Sequence, residues 1–333
     1  MKSLSQTLIT GVYRTGSQYF VRILNAHPEL SSTEYKVNVM RFIYKRYDPF
    51  ENNYLRALED TAHRMKKRYN EDLDSIGIKT KLLEYAKVDV GIFYDEIMTS
   101  LYLEGNKKHW AEKSQLEWRN IPNFIKMMPN GKAIHIIRDP RSILLSFKKN
   151  TIAPPPLFLG AIWNCYDSMK HSLKYMQDTE ISKKYQTITY EAYALNPQGM
   201  AQRTWNFLGL SPGDFDVHDQ SGWVTEKGEK WYINSSFQKN VPEKFDVNKS
   251  IHRWKKYLNQ DEIILTEGIC GELMEKFGYV RTISGLTSQM VEDALNRLAG
   301  DHEKIHHYYK IYKEFGEGIQ EYPLNPLDAS TWR

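Results

Sequence analysis

The sequence has only two cysteines in 333 residues, Cys165 and Cys270, and no CxxC pair. This pattern favours two small core thiols in a reducing compartment over a disulfide or a cysteine metal site. The chain also lacks any run of about 18 consecutive apolar residues, and MKSLSQTLITGVYR at its start lacks the apolar stretch of a secretory signal. We therefore expect a cytoplasmic protein without a membrane span.

Neither positively nor negatively charged residues are in strong excess. There are 45 Lys and Arg residues against 41 Asp and Glu, a net charge of +4. Together with the lack of a recognition motif, so mild a balance argues against nucleic acid as a partner, although it suits an anionic ligand. Hydrophobic residues make up 41% of the chain, which is ample for one sizeable core.

Three segments repeat the order strand, loop, helix. Short β-branched or apolar runs lie at Thr7 to Val12, Ala133 to Ile137 and Gln186 to Thr189. Asp139-Pro140 and Asn196-Pro197 then supply an N-cap followed by proline at the first helical position. This repetition predicts an α/β fold of three layers, with a central, mostly parallel sheet flanked by helices.

Two segments stand outside this repetition. Residues 37–108 are charged, rich in tyrosine and helical in pattern, which predicts a helical insertion. Residues 286–333 resemble a helical tail. We therefore expect one domain over residues 1–285, with the insertion at about 37–108, and a helical C-terminal extension over 286–333 packed on it. Residues 112–128 are predicted to form a further helix.

The first candidate site is the loop Gly11–Ser17. It has two glycines at the spacing of a phosphate-binding P-loop, but Ser17 stands where that loop has its lysine. Backbone N–H groups and a helix N-terminus would face an anion here, with Arg14 as the cation and Thr15, Ser17 and Gln18 as further donors. The alternative is an ordinary strand-to-helix turn with a chance pair of glycines.

The second candidate site begins at Arg138, at the predicted carboxyl end of a strand, with Ser146 eight residues further on. Open α/β sheets bind ligands at this edge, and a guanidinium can grip a phosphate in a fork. The alternative is that Arg138 forms a structural ion pair with Asp139 or Glu112. Two anion sites together describe a nucleotide charged at both its 5′ and 3′ positions, which ATP is not.

Five regions, in order, resemble the family of sulfotransferases that use 3′-phosphoadenosine-5′-phosphosulfate (PAPS). The resemblance spans about Leu8 to Leu258 and is to a soluble, bacterial-type member of the carbohydrate and tyrosylprotein branch. The matching segments are GVYRTGSQYF from Gly11, AHPEL from Ala26, IIRDPRSILLSF from Ile136, TYEAYALNPQGMAQRTWNFLGL from Thr189, and NSSF with HRWKKYL from Asn234 and His252.

This resemblance implies a P-loop-like fold and the transfer of a sulfuryl group from PAPS to a hydroxyl or amine, with PAP as the product. It assigns Arg14, Thr15, Gly16 and Ser17 to the 5′-phosphosulfate, with Gln18 replacing the family's usual threonine. It assigns Arg138 and Ser146 to the 3′-phosphate. The further nucleotide-binding positions that it implies are Tyr190, Ser235, Ser236 and Arg253.

Sulfuryl transfer, like phosphoryl transfer, builds charge on the leaving oxygen and needs a base for the acceptor proton. Arg14 is our candidate for the leaving group, and Lys113 aligns with a catalytic lysine of the tyrosylprotein branch. A solvated helix lysine is the alternative for Lys113. Glu34 occupies the position where the matching branches often place a glutamate, so it is the candidate base, with Tyr35 or Lys36 as alternatives in register.

Histidines that could have a chemical role lie at His27 and in the cluster of His302, His306 and His307. His27 is expected to cap or pack at a helix end. His302 and His306 have the spacing of a metal-binding pair on a helix, but no further ligands complete a set. We therefore expect no metal, because side-chain cations can neutralise the leaving group.

Two other functions remain open. A P-loop kinase for a small molecule would bind ATP with Mg²⁺, and a non-catalytic protein would bind PAP without transferring sulfate. The acceptor is not identified by the sequence; sugars, small alcohols, lipids and peptide tyrosines are all family acceptors. The insertion and the tail are the places for acceptor contacts or a homodimer surface.

Overall fold

The computed structural model describes residues 5–34, 37–150, 154–219 and 246–322, without the side chains of residues 34 and 150. Its centre is a sheet of five strands in the order β2-β3-β1-β4-β5. All four neighbouring pairs are parallel. The strands are β1 (Ser5–Gly11), β2 (Leu30–Glu34), β3 (His109–Lys113), β4 (Lys132–Ile137) and β5 (Tyr185–Thr189). The predicted α/β class with a parallel sheet is confirmed.

Helices connect the strands and cover both faces of the sheet. In chain order they are α1 (Ser17–Leu24), α2 (Val39–Phe42), α3 (Phe50–Tyr69), α4 (Ser75–Leu82), α5 (Val90–Tyr102), α6 (Ile121–Met127), α7 (Pro140–Asn150), α8 (Gly160–Gln177), α9 (Tyr190–Leu195), α10 (Pro197–Leu208), α11 (Val247–His252), α12 (Trp254–Tyr257), α13 (Gln260–Lys276), α14 (Ser288–Ala299) and α15 (Glu303–Phe315). Short 3₁₀ turns lie at Trp118–Asn120, Leu157–Leu159 and Ser182–Lys184.

Alternate strand residues separate two apolar cores, because successive side chains of a strand point to opposite faces. On one face, Ile9, Ala111 and Ile134 pack with α1 and α10. On the other, Leu8 and Trp110 pack with α5, α8 and α13. Both faces of the sheet are covered, as is usual for parallel sheets, although β1, β2 and β5 contain several polar residues.

Helices α2 to α5 make up the segment between β2 and β3. Phe93 and Ile97 of α5 are fully buried in the same core as Trp110, so the segment adds to that core and does not build a second one. At the other end of the chain, Ile305 of α15 is also fully buried there. Tyr312 packs its ring edge-on against Tyr166 of α8, with ring centroids 5.0 Å apart.

The helix predicted over residues 112–128 is wrong at its start. Residues 112 and 113 belong to β3, which pairs with β1 on one side and with β2 on the other. The helix begins only at Ile121, with Pro122 in its first turn. Trp110 and Ala111 are buried on opposite faces of the sheet, so strand pairing on both sides overrides the helical tendency of the sequence that follows.

Candidate functional site

The carboxyl ends of β1, β3 and β4 meet at one edge of the sheet, and the candidate residues lie there. In the strand register, Gly11 is opposite Ile136, while Lys113 is opposite both Ile9 and Glu34. This is the edge at which open parallel sheets bind ligands. The backbones of Arg138, of Lys113 and of the loop Gly11–Ser17, which we call the phosphate loop, therefore lie at the same edge of the sheet.

The two glycines of the loop are required by close packing. A Cβ on Gly11 would lie 2.5 Å from the carbonyl oxygen of Ile136, in the neighbouring strand. Gly16 has φ +80°, and a Cβ there would lie 2.6 Å from the Tyr190 ring and 2.7 Å from the Tyr193 hydroxyl. That hydroxyl also donates to the carbonyl oxygen of Thr15 at 2.8 Å. The glycine pair is therefore required by the conformation and packing of the loop.

The two anion sites predicted from the sequence are in direct contact. Arg14 Nε donates to Ser146 Oγ at 2.9 Å, and Arg138 Nη1 donates to the carbonyl oxygen of Arg14, also at 2.9 Å. Arg14 has φ +72°, a left-handed conformation that is uncommon for a residue with a side chain. Such strain persists only where surrounding contacts stabilise it. Here the hydrogen bonds of the Arg14 side chain to Ser146 and of its carbonyl oxygen to Arg138 do so.

Arg138 is further oriented by an aromatic ring. Its guanidinium carbon lies 3.9 Å from the ring centroid of Tyr190, whose hydroxyl is hydrogen-bonded to Ser250 Oγ at 2.8 Å. Arg253 lies close by: burial, and then the positive charge of Arg138, lower the pKa of its guanidinium. Two neighbouring arginines repel each other, and a bound anion would remove that repulsion.

The ion pair considered as an alternative for Arg138 is not formed. Asp139 instead receives two hydrogen bonds from the side chain of Arg141, at 3.0 and 2.8 Å. Arg141 also pairs with Glu267 at 2.6 Å and stacks on the Trp254 ring at 3.8 Å. The second arginine of the RDPR sequence is therefore structural, and it anchors the start of α7 beneath Arg138.

Lys113 is fully buried at the end of β3, so the alternative of a solvated helix lysine is wrong. After Lys113 the chain runs along the phosphate loop: the Ser114 amide donates to Ile9 and the Leu116 amide to Gly11, at 2.9 and 3.0 Å. Glu34, the candidate base, is in Cα register with Lys113. Its side chain, and the alternatives Tyr35 and Lys36, lie outside the described residues, as do Ser235 and Ser236.

Sequence reasoning missed three residues of this site. Gln115 Nε2 donates to Ser17 Oγ at 3.1 Å, and no motif marks it. Tyr193 follows Tyr190 by three residues, so helical spacing could have placed both against the loop. Ser250 precedes the HRWKKYL sequence by two residues, but its bond to Tyr190 depends on the tertiary fold.

His27 has the structural role expected for it. It is fully buried, with its ring centroid 4.7 Å from that of Phe215 and 5.4 Å from that of Trp205. Its Nε2 atom bonds the carbonyl oxygen of Ser211 at 2.8 Å. In the described ranges no group of three or more His, Cys, Asp or Glu side chains is placed to hold a metal ion. His306 bonds the Gly300 carbonyl instead, at 2.6 Å.

The chain is an α/β protein with a glycine-bearing loop between a parallel strand and a helix. Its arginines converge at the strand ends, an arrangement that suits an anionic ligand. Residues 7–214 match the family described as "Sulfotransferase family". This match covers more than half of the chain, which therefore belongs to the sulfotransferase family and is an enzyme of sulfuryl transfer. No curated protein matches the sequence significantly.

The first of three similar solved structures supports the fold. The sulfotransferase domain of the olefin synthase of Synechococcus PCC 7002 is 18% identical, with a TM-score of 0.54, covering 84% of this chain and 96% of its own. The sulfotransferase domain of the curacin biosynthetic pathway is 16% identical, with a TM-score of 0.41, covering 89% and 98%. Mouse sulfotransferase SULT7A1, complexed with PAP, is 14% identical, with a TM-score of 0.43, covering 87% and 88%.

Among the helices of residues 5–34, 37–150, 154–219 and 246–322, none is long and apolar enough to cross a bilayer.

Proposed function

We propose that this enzyme takes its sulfuryl group from PAPS and transfers it to a hydroxyl or amine of an acceptor, releasing PAP. The proposal rests on the hydrogen bonds that join Arg14 to Ser146 and to Arg138. Two cations and a hydroxyl thus lie together at the carboxyl ends of the strands. A donor charged at both its 5′ and 3′ positions matches two such cations. The cytoplasmic location and a reaction without metal remain predictions.

The nucleotide would be bound by groups on both sides of the loop. The backbone N–H groups of the loop and the N-terminus of α1 would face the 5′-phosphosulfate, with Arg14, Thr15, Ser17 and Gln18 around it. Arg138 and Ser146 would hold the 3′-phosphate, with Arg253 adjacent. Tyr190 supports this arrangement, because its ring lies against the Arg138 guanidinium. Ser235 and Ser236 complete the proposal from the family pattern.

The chemistry is an in-line displacement at sulfur. The acceptor oxygen or nitrogen forms a bond to sulfur as the bond from sulfur to the 5′-phosphate oxygen breaks, and PAP leaves with the electron pair of that bond. Arg14 and Lys113 would neutralise the charge that builds on the leaving oxygen. Glu34 would take the proton of the acceptor. The full burial of Lys113 supports this role, because charge stabilisation is stronger away from water.

A kinase is the main competing function, and ligand selectivity separates the two. Ser17 stands where a P-loop kinase would have the lysine that contacts the transferred phosphate. The acceptor stays open among sugars, small alcohols, lipids and peptide tyrosines. A homodimer surface, on the insertion or on the C-terminal extension, is likewise proposed from the sequence.

Thermal shift with PAP and with ATP·Mg²⁺ tests the donor. PAP should raise the melting temperature, ATP·Mg²⁺ should not, and Arg138→Ala should abolish the PAP shift. Arg297→Ala is the matched control, since Arg297 pairs with Asp261 in an exposed ion pair at 2.7 Å. Equal shifts with both nucleotides would overturn PAPS as donor. A shift with PAP but no consumption of PAPS with any acceptor would instead indicate a non-catalytic binder.

A further inference from the structure

Two fully buried glutamates lie on either side of Lys113, Glu112 before it and Glu117 four residues after it. Burying a carboxylate is costly unless hydrogen bonds and opposite charges compensate for the lost water. Burial raises the pKa of both carboxyls. Neither glutamate is among the proposed nucleotide-binding residues. Their hydrogen-bond partners therefore indicate what they do.

Glu112 holds the chain that follows the candidate base. Its Oε1 atom accepts a hydrogen bond from the backbone N–H of Asn38 at 2.6 Å. Its Oε2 atom accepts one from the hydroxyl of Tyr94 in α5. Arg64 of α3 donates to the carbonyl oxygen of the preceding residue, Val37. Asn38 has φ +51°, a left-handed conformation that needs such support.

Glu117 holds the next turn of the same segment. Its carboxylate pairs with Arg41 of α2 at 3.4 Å and accepts hydrogen bonds from Tyr322 and Asn120, both at 2.8 Å. Arg41 in turn donates to the hydroxyl of Tyr13, in the phosphate loop, at 3.0 Å. The carboxylate therefore joins α2, the phosphate loop and the end of the described chain.

Tyr322 reaches Glu117 because residues 316–322, which we call the C-terminal strap, lie flat against α8. The Ile319 amide donates to the Trp163 carbonyl at 3.3 Å, and Arg119 donates to the Gly318 carbonyl at 3.2 Å. A Cβ on Gly318 would lie 2.5 Å from the Trp163 carbonyl oxygen, so only glycine permits this approach. The ring of Tyr322 then lies 4.7 Å from the guanidinium of Arg41.

From these contacts we infer that Glu112 and Glu117 are positioning residues for sulfuryl transfer. They hold residues 37–41 next to the end of β3, where Glu34 is in Cα register with Lys113. The helical insertion supports one glutamate through Tyr94, and the C-terminal strap supports the other through Tyr322. This inference rests on the proposed role of Glu34, and it gives the insertion and the extension a shared purpose.

Tyr94→Phe and Tyr322→Phe test the inference, because each removes one hydroxyl from one glutamate and leaves the ring. Hydrogen exchange of the amides of residues 37–44 is the first readout; several of them are bonded within this segment, such as Phe42 to Asn38 at 3.0 Å. Each variant should speed exchange there by about fivefold, the effect of a lost hydrogen bond of about 1 kcal/mol.

Turnover is the second readout. Conversion of PAPS to PAP with water as the acceptor should slow in both variants, while the KM for PAPS and the Kd for PAP stay within about twofold. Tyr309→Phe is the matched control: its hydroxyl bonds Glu292 at 3.2 Å, in the same extension but away from the loop. It should change neither exchange in residues 37–44 nor turnover.

The glutamates themselves give a rescue test. Glu117→Ala should produce both effects more strongly, and Glu117→Gln, which keeps an acceptor for Tyr322, should restore much of the exchange protection and turnover. Glu262→Ala controls for general destabilisation, since Glu262 is a buried carboxylate paired with Lys148 at 2.7 Å.

Unchanged exchange in residues 37–44 would overturn the inference, as would PAP affinity that falls in parallel with turnover. Failure of the proposed function itself would look different: the wild-type protein would not bind PAP at all, whatever the exchange results.

Discussion

The Nη1 atom of Arg138 donates a hydrogen bond to the carbonyl oxygen of Arg14 at 2.9 Å, across 124 residues of sequence. This bond joins the loop after β1 to the end of β4, so the two segments that we propose to bind anions are held together. Arg14 is held from its other side by Ser146. A ligand that contacts one arginine therefore meets the second in a defined position, which lowers the entropy lost on binding.

Removal of the Ser146 hydroxyl should loosen Arg14. In Ser146→Ala the Arg14 Nε atom loses its acceptor at 2.9 Å, and the nucleotide loses a donor. We expect PAP to bind about 3- to 10-fold more weakly, the effect of one hydrogen bond of roughly 1 kcal/mol, measured by titration calorimetry. Ser75→Ala, which removes a half-buried hydroxyl of the insertion far along the chain from the loop, should leave the affinity as it is. Equal affinities of the wild type and Ser146→Ala would contradict the arrangement.

Gly16→Ala should destabilise the protein more than the strain of a positive φ alone would, because the added Cβ also clashes with its neighbours. Gly16 and Gly105 both have positive φ, +80° and +60°, but an added Cβ meets Tyr190 at 2.6 Å only at Gly16, and nothing within 4 Å at Gly105. Urea unfolding should show a loss of about 1 kcal/mol for Gly105→Ala and a larger loss for Gly16→Ala. Only Gly16→Ala should also abolish PAP binding. If the two variants lost the same stability, the close packing of the loop would be refuted.

Glu34→Gln separates binding from transfer. The amide keeps the size of the side chain but cannot take the acceptor proton, so PAP affinity should be retained while PAPS turnover falls about 10²- to 10⁴-fold. Calorimetry and a PAP-release assay measure the two effects. Glu29→Gln is the control, since Glu29 lies five residues earlier and pairs with Lys108. Undiminished turnover in Glu34→Gln would assign the base to another group.

His135 predicts a loss of stability in acid. Its ring is fully buried, bonded to Tyr185 and Ser168 at 2.9 and 2.8 Å, and burial lowers its pKa from 6.5 to about 3. Between these values the unfolded chain binds a proton that the folded protein does not. The free energy of unfolding should therefore fall by up to about 1.4 kcal/mol per pH unit as the pH drops below 6.5.

The measurement is urea unfolding at several values between pH 7 and pH 5. His135→Gln, which retains polar groups for Tyr185 and Ser168, should show a shallower decline than the wild type. The exposed His63→Gln should decline as the wild type does. A decline of equal slope in His135→Gln would assign the acid sensitivity to other groups.

Local chemistry explains why a donor site could be proposed from the sequence. A loop that binds an anion through its backbone needs glycines at set positions, and a strand that ends at a ligand needs a cation there. Gly11, Gly16, Arg14 and Arg138 therefore appear as patterns in the sequence. The parallel sheet followed from three strand-loop-helix units for the same reason, since each unit is encoded within about 30 residues.

The helix predicted through Lys113 shows the limit of such patterns. Its residues have no strong strand signal, and what places them in β3 is pairing with β1 and β2, which lie about 80 to 100 residues away in the chain. The burial of Lys113 and the contact from Gln115 to Ser17 follow from that pairing. No local pattern carries this information.

The sequence by itself determined the residue types and spacing of the phosphate loop and of the Arg138 segment, because those requirements are met within one turn of backbone. Only the tertiary structure decided that Arg138 bonds Arg14, that Lys113 is buried opposite Glu34, and that the insertion and the C-terminal strap meet at the buried Glu112 and Glu117. Each of these depends on contacts between distant segments, whose geometry is set by packing of the whole core.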